Sequence, residues 1–276
     1  MKARQLLDGQ RPLIMGILNV TPDSFSDGGC YASPQLAIKH GLTMVKEGAD
    51  FIDIGGESTR PGSERVPGTE QRQRVVPVIQ KLRQVLPDEV AISIDTTLCE
   101  VAEAALDAGA DLINDISAGR DDPSILALAA QRDVPICLMH MQGTPGSMQQ
   151  DPQYGDVVDE IRGFLLERAE SAIAVGIPRE HIIIDPGIGF GKTREHNRAL
   201  LKNLPRFVGS GYPVLLGASR KRFMGAICNE LQPSSLVGAT CASTAIGVAA
   251  GVRIFRVHDV AMNRQAADVA WAIKQA

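Results

Sequence analysis

Eight short runs rich in Val, Ile and Leu recur along this 276-residue chain, and their spacing constrains the fold more than any other feature. They read LIMGILN (13–19), FIDIGG (51–56), AISIDT (91–96), LINDIS (112–117), PICLMH (135–140), IIIDPG (182–187), PVLLGAS (213–219) and IFRVHD (254–259). Near-continuous apolar runs without strict alternation belong to strands covered on both faces, as in parallel sheets. Between most of them lie helical patterns of crossover length. SPQLAIKHGLTMVKEGA opens on a Ser with Pro at the first helical position and stops at a Gly, and DEIRGFLLERAESAIAVGI shows helical apolar spacing with the same glycine stop. Gly-Ala-Asp at 48–50, and again at 109–111, closes one helix and begins the next strand. A repeated junction of that kind marks a βα array.

Eight strand–helix units in a chain of this size predict an α/β fold, a (β/α)8 TIM barrel with its active site at the C-terminal ends of the strands. A doubly wound sheet would place a glycine-rich phosphate turn after its first strand, whereas NVTPDSFSDGG follows here. No linker or low-complexity segment divides residues 1–276, so a single domain is expected. The net charge of −4 gives no general affinity for nucleic acid or membrane and leaves anion binding to a local cluster. Five scattered cysteines with no CxxC pair read as buried reduced thiols of a cytoplasmic protein rather than as disulfides or zinc ligands. The start, MKARQLLDGQRP, lacks the apolar core of a signal peptide. LVGATCASTAIGVAAGV (236–252) is too short for a membrane span and reads as a buried helix or a dimer face.

The segment IIIDPGIGFGKT (182–193) ends like a nucleotide-binding loop, but the spacing fails. Counting back from Gly191-Lys192-Thr193, the first glycine of a Walker A loop falls on Pro186. The barrel supplies another context. Catalytic groups of such a fold sit at or just beyond the carboxyl ends of the strands. Asn19, Asp53, Asp95, Asn114, Asp115, His140, Asp185, Arg256 and His258 lie at or near those ends, with Glu57-Ser58-Thr59-Arg60 and Ser219-Arg220-Lys221 in the loops that follow. The acceptors Asp95, Asn114 and Asp185 suit a flat heterocycle with adjacent N–H donors. Arg60, Lys221, Arg256 and His258 suit phosphate or carboxylate. Together they predict a phosphorylated heterocycle as ligand.

GILNVTPDSFSDGG (16–29), DIGGESTRPG (53–62), DPGIGFGK (185–192), SRK (219–221) and RVHD (256–259) together resemble the dihydropteroate synthase family, in order and across nearly the whole chain. The resemblance implies a pterin-binding barrel that joins 6-hydroxymethyl-7,8-dihydropterin diphosphate to p-aminobenzoate, giving 7,8-dihydropteroate and diphosphate in folate synthesis. It implies Mg2+ as cofactor, sulfonamides as inhibitors and a homodimer. By motif position Asp95, Asn114, Asp185 and Lys221 resemble the pterin-binding set. Asn19, Thr59, Arg60, Arg256 and His258 resemble the diphosphate-binding set, with Asn19 also at the metal. Phe25, Pro61, Phe190, Ser219 and Lys221 resemble the p-aminobenzoate pocket. Asp95, Lys221, Arg256 and His258 are the expected catalytic residues. Two positions depart from the usual pattern: Arg222 follows Ser-Arg-Lys, and Ile188 stands where Phe is frequent.

The chemistry so implied is substitution at a methylene bearing diphosphate, with positive charge spreading into the pterin and negative charge onto the leaving group. The neutral arylamine needs no strong general base. The alternatives are a corrinoid-dependent pterin methyltransferase and a pterin-binding protein without turnover. Segments 21–33 and 57–70, rich in Gly, Pro and Ser, are candidate lids. His140 reads as a structural or pocket residue, Met139 and Met141 as packing or pocket wall, and His40, His181 and His196 as helix or loop residues.

Overall fold

A computed structural model describes residues 2–21, 33–58 and 62–276, so the expected site residues Phe25, Thr59, Arg60 and Pro61 lie outside the described residues, as does Cys30. Eight parallel strands form one sheet: β1 Leu13–Asn19, β2 Phe51–Gly55, β3 Ala91–Asp95, β4 Leu112–Asp115, β5 Ile136–Met139, β6 Ile182–Asp185, β7 Leu215–Leu216 and β8 Ile254–Val257. Their order is β6-β5-β4-β3-β2-β1-β8-β7, and a parallel bridge between Ile184 and Val214 joins the two ends. The sheet is therefore a closed barrel, as the alternating pattern predicted. β7 is the short member: only two residues of the apolar run 213–219 pair as strand.

The helices return the chain on the outside. They include α1 Lys2–Asp8, α2 Ser33–Lys46, α3 Gly68–Val85, α4 Cys99–Asp107, α5 Ser124–Arg132, α6 Val157–Ala174, α7 Arg194–Lys202, α8 Leu204–Val208, α9 Arg222–Cys228, α10 Val237–Ala250 and α11 Val260–Gln275. The outward faces of the strands and the inner faces of these helices form one large apolar cluster, from Ile14, Leu18 and Ile52 to Phe255 and Val260. A second cluster fills the barrel's lower interior: Leu13, Met15, Phe51, Ala91, Leu112, Cys137, Ile183, Leu215 and Ile254. The first helix closes this end. Ala3 is fully buried among those residues, and Leu6 and Leu7 pack beside it. The sequence does not announce that plug, because seven residues with three apolar ones carry little periodic signal.

The Gly-Ala-Asp junctions have a shared physical cause. Gly48 and Gly109 have φ of 98° and 111°, the left-handed region open to glycine. At both, the glycine N–H reaches back three residues and the following alanine N–H five, to Val45 and Met44 in one case and Leu106 and Ala105 in the other. That pairing satisfies carbonyls at the helix end. The aspartate then serves the neighbouring strand: Asp50 accepts from the Ile14 N–H at 2.8 Å, and Asp111 from the Ile92 N–H at 2.9 Å. An arginine covers each junction, Arg264 over Asp50 and Arg83 over Asp111, at 3.4 and 2.9 Å. The three-residue word thus stops a helix and caps the start of an adjacent strand.

The expectation for 236–252 is half met. In α10, Thr240, Ser243, Thr244, Gly247 and Val248 are buried, and a Cβ on Gly247 would stand 2.6 Å from the Phe255 ring. Its opposite side is open, with Ile246 at 55% exposure. Among the described cysteines Cys137 alone is buried; Cys99 and Cys241 are partly covered, Cys228 is exposed, and all four are free thiols. Among the described residues no helix is long and apolar enough to cross a membrane.

Gly48→Ala and Gly109→Ala should each lower stability by roughly 1–2 kcal/mol, since alanine resists this conformation and its Cβ would press on an arginine side chain. Gly163, exposed inside α6 with nothing near a added Cβ, should behave oppositely. There, alanine should add roughly 0.5–1 kcal/mol. Urea unfolding of the three variants checks both signs.

Candidate active site

Side chains that point into the barrel recur every second residue along each strand, and they change character from bottom to mouth. In β2 the series is Phe51, Asp53, Gly55; in β3 Ala91, Ser93, Asp95; in β6 Ile183, Asp185; in β8 Ile254, Arg256. Apolar residues fill the lower layer and ionisable ones the upper. The predicted residues Asp95, Asn114, Asp185 and Arg256 are gathered at this one end.

At their centre Arg256 joins two carboxylates. Its Nε donates to Asp53 Oδ2 at 2.6 Å and its terminal nitrogen to Asp95 Oδ2 at 2.6 Å. The same Asp53 oxygen accepts from Asn114 Nδ2 at 3.2 Å. Asp53 is completely buried, Asp95 and Asn114 nearly so. Burial pushes Asp95 up to about 7, Arg256 pulls the other way, and Asp53 adds to the rise. Burial also works against the charge of Arg256, but Asp53 and Asp95 outweigh it and hold the guanidinium firmly protonated. In the sequence Asp53 is only one polar residue near a strand end. Its role shows once the barrel closes, because its two partners lie 61 and 203 positions away.

The second group forms around the glycine-rich loop after β6. Asp185 Oδ1 accepts from the Gly187 N–H at 2.7 Å, and burial pushes its carboxyl up to about 6 against the pull of that bond and of Lys221 and Lys192. Lys221 lies with Nζ 4.0 Å from the centre of the Phe190 ring, a cation–π contact. Burial lowers Lys221 to about 8, with Arg256 acting in the same direction and Asp185 and Asp95 opposing. Phe190 packs with Ile116, Met139, Met141 and Met148 in a small apolar cluster of its own. Met139 and Met141 are both buried in it, which fits either packing or a pocket wall. The structure places an anion-rich polar floor beside an apolar wall.

Ser219 and His258 meet across β7 and β8: the serine hydroxyl accepts the His258 backbone N–H at 3.2 Å and lies 3.0 Å from its Nδ1. Asn19 is partly exposed at the end of β1. A Cβ added to Gly55 would lie 3.5 Å from its Oδ1 and 3.5 Å from the Asp95 Cβ, so Asn19 and Asp95 flank that bare glycine. Arg220, between Ser219 and Lys221, takes φ 56° and pairs with both oxygens of Asp259 at 3.0 and 2.5 Å. That pairing holds the turn that separates its two neighbours. His140 is buried just beyond β5: burial first, then Lys192 and Arg120, lower it to about 2 and keep it neutral, and its ring packs edge-on against Phe164. Thr193 caps α7, exchanging hydrogen bonds with His196, which settles the GKT end of the loop as a helix start.

Among the described residues no cluster of three His, Cys, Asp or Glu side chains could hold a metal ion by itself. Mg2+ is commonly bound through one or two protein oxygens together with substrate phosphates and water. The partly exposed amide oxygen of Asn19 is one donor of that kind.

Known proteins share this chain's sequence and fold. The family model described as pterin binding enzyme matches residues 15–258. A dihydropteroate synthase of Synechocystis sp. is 49% identical over 265 residues, 96% of this chain and 91% of the relative. The solved dihydropteroate synthase of Xanthomonas albilineans with 4-aminobenzoic acid superposes with a TM-score of 0.91 at 45% identity, covering 98% of this chain and 95% of that one. The Yersinia pestis dihydropteroate synthase in complex with a sulfonamide drug does so with a TM-score of 0.90 at 43% identity, covering 96% and 95%. The chain belongs to the family of pterin binding enzymes, among the dihydropteroate synthases.

Proposed function

We propose that the chain condenses 6-hydroxymethyl-7,8-dihydropterin diphosphate with p-aminobenzoate to give 7,8-dihydropteroate and diphosphate, the dihydropteroate synthase step of folate synthesis. The observation that carries the reading is the convergence of Asp95, Asn114 and Asp185 from three strand ends, and of Lys221 from the loop after β7, on one end of the barrel. Release of diphosphate that depends on p-aminobenzoate tests it directly; no release with intact pterin binding would leave a binding protein only.

In this reading Asp95 and Asp185 accept from the pterin N–H groups while Asn114 supplies an amide. Their charges oppose the positive charge that develops in the ring as diphosphate departs. Arg256 has two nitrogens engaged by Asp53 and Asp95, so it reaches diphosphate only with the nitrogen those carboxylates leave. Thr59, Arg60, Asn19 and His258 complete the anion grip. Phe190, Ser219 and Lys221, with Phe25 and Pro61, form the arylamine pocket, where sulfonamides would compete. Asn19, together with the substrate diphosphate, would hold Mg2+, which would supply positive charge to the leaving group. The reaction is assigned to the cytoplasm and to one domain spanning 1–276.

The same chain is proposed to work as a homodimer. Ile227 of α9 and Ile246 of α10 are more than half exposed and, with Leu201 of α7 and Phe223, line an apolar groove between the outer helices. An apolar face of this kind fits a second copy of itself across a twofold axis. Ile246→Glu should shift the protein to monomer in light scattering.

Asp185→Asn should weaken pterin binding by ~1.5–3 kcal/mol, the worth of a charged hydrogen bond, measured by calorimetry. The carboxyl titrates near 6 when folded against 3.8 ordinarily, so its protonated form is favoured by folding. Its contribution to stability is full below about pH 4 and is lost as pH rises through about 6. The substitution should therefore spare stability at pH 8, or raise it, while affinity falls. The rate at limiting substrate should trace a bell: falling below about pH 6–7 as Asp185 and Asp95 take up protons, and above about 8 as Lys221 loses one.

A further inference from the structure

Lys192, the last residue of DPGIGFGK, is 3% exposed. Lysine is seldom buried to this extent, and burial drives its amine well below the ordinary lysine range. Its partners are not carboxylates. Nζ lies 2.8 Å from the Phe190 carbonyl oxygen, 3.3 Å from that of His140 and 3.1 Å from His140 Nδ1. A single side chain so links the loop after β6 to the end of β5.

That loop is built to lie close and then has to be held. Gly187, Gly189 and Gly191 all have positive φ. A Cβ on Gly187 would sit 1.9 Å from the His140 carbonyl oxygen, one on Gly191 2.4 Å from that of Gln142, and one on Gly189 2.9 Å from Lys221 Cδ. Glycine permits the approach but brings freedom that something must remove. Three successive carbonyls are caught by side chains: Gly189 by Gln149 at 2.7 Å, Phe190 by Lys192 at 2.8 Å and Gly191 by Tyr154 at 2.8 Å.

We propose that Lys192 is a positioning residue for the arylamine subsite, tying the Phe190 backbone to His140 and so fixing the Phe190 ring against Lys221. Asp185 has separate support: Gly187 N–H reaches its side chain at 2.7 Å, and the His140 N–H its carbonyl at 3.0 Å. Losing Lys192 therefore disturbs the arylamine wall and leaves both hydrogen bonds of the pterin carboxylate in place; measuring at about pH 8, above the range in which Asp185 takes up a proton, keeps the lost lysine charge out of the comparison. The inference rests on the assignment of Phe190 to the arylamine pocket made above.

Three variants test it by steady-state kinetics in p-aminobenzoate and calorimetry with the pterin. Lys192→Met should raise KM for p-aminobenzoate about ten-fold while pterin affinity stays within about two-fold, the pattern of a displaced wall rather than a lost ligand. Lys192→Gln keeps a donor for the Phe190 carbonyl and should lie between wild type and Lys192→Met; it carries the same comparison where the methionine variant does not fold. An unchanged KM in a folded variant, or equal weakening of both substrates, overturns the proposal. Phe190→Leu separates the two assignments. Should it leave the p-aminobenzoate KM unmoved, the pocket assignment falls and the positioning role with it; a raised KM there with none in the Lys192 variants removes the positioning role alone.

Discussion

A closed parallel barrel leaves its inner side chains no route to solvent except at the mouth, so each must be packed, paired or open to a ligand. The molecule meets this constraint in layers. Leu13, Phe51, Leu112 and Ile254 fill the base, sealed by Ala3 of the first helix. Above them Asp53 meets Arg256 and Asn114, and Arg256 meets Asp95. Everything proposed for the site follows from that order, because the lower layer excludes water and gives the upper charges a medium in which they act strongly.

The arrangement works against the stability of the fold. Asp95, Asp115 and Asp185 are all held above the ordinary carboxylate range, with burial the leading cause in each. Raised carboxyls of this kind destabilise the folded state at neutral pH relative to acid. Asp115 offsets its burial with bonds from Ser117 and Gly119 and serves the turn after β4, whereas Asp185 keeps one backbone bond and faces the mouth. In the proposed function that difference separates a structural carboxylate from the one left to bind the pterin.

Much of this was legible in the chain itself. The eight runs marked the strands within a few residues, since apolar patterning follows directly from two-sided burial. The exception is the run at 213–219, where only Leu215 and Leu216 form a strand and Val214 adds a single bridge. Gly48 and Gly109 announced helix ends because few other residues accept their φ. The residues that remained hidden act through distant partners. Asp53 looked like one polar strand end among many, Arg220 like one more cation in a basic turn, and Lys192 like the tail of a nucleotide motif. Each takes its meaning from a neighbour contributed by another strand or loop.

The sequence by itself determined the number and order of the strands, the places where helices stop, and which chemical groups stand at the strand ends, because those depend on local conformation and on burial period. Only the tertiary structure decided how the groups combine: that Arg256 is shared by Asp53 and Asp95, that Lys221 lies over Phe190, and that Lys192 turns inward to His140. Barrel closure brings these residues together from distant parts of the chain, and the pairing of buried charge depends on distances that no linear spacing encodes.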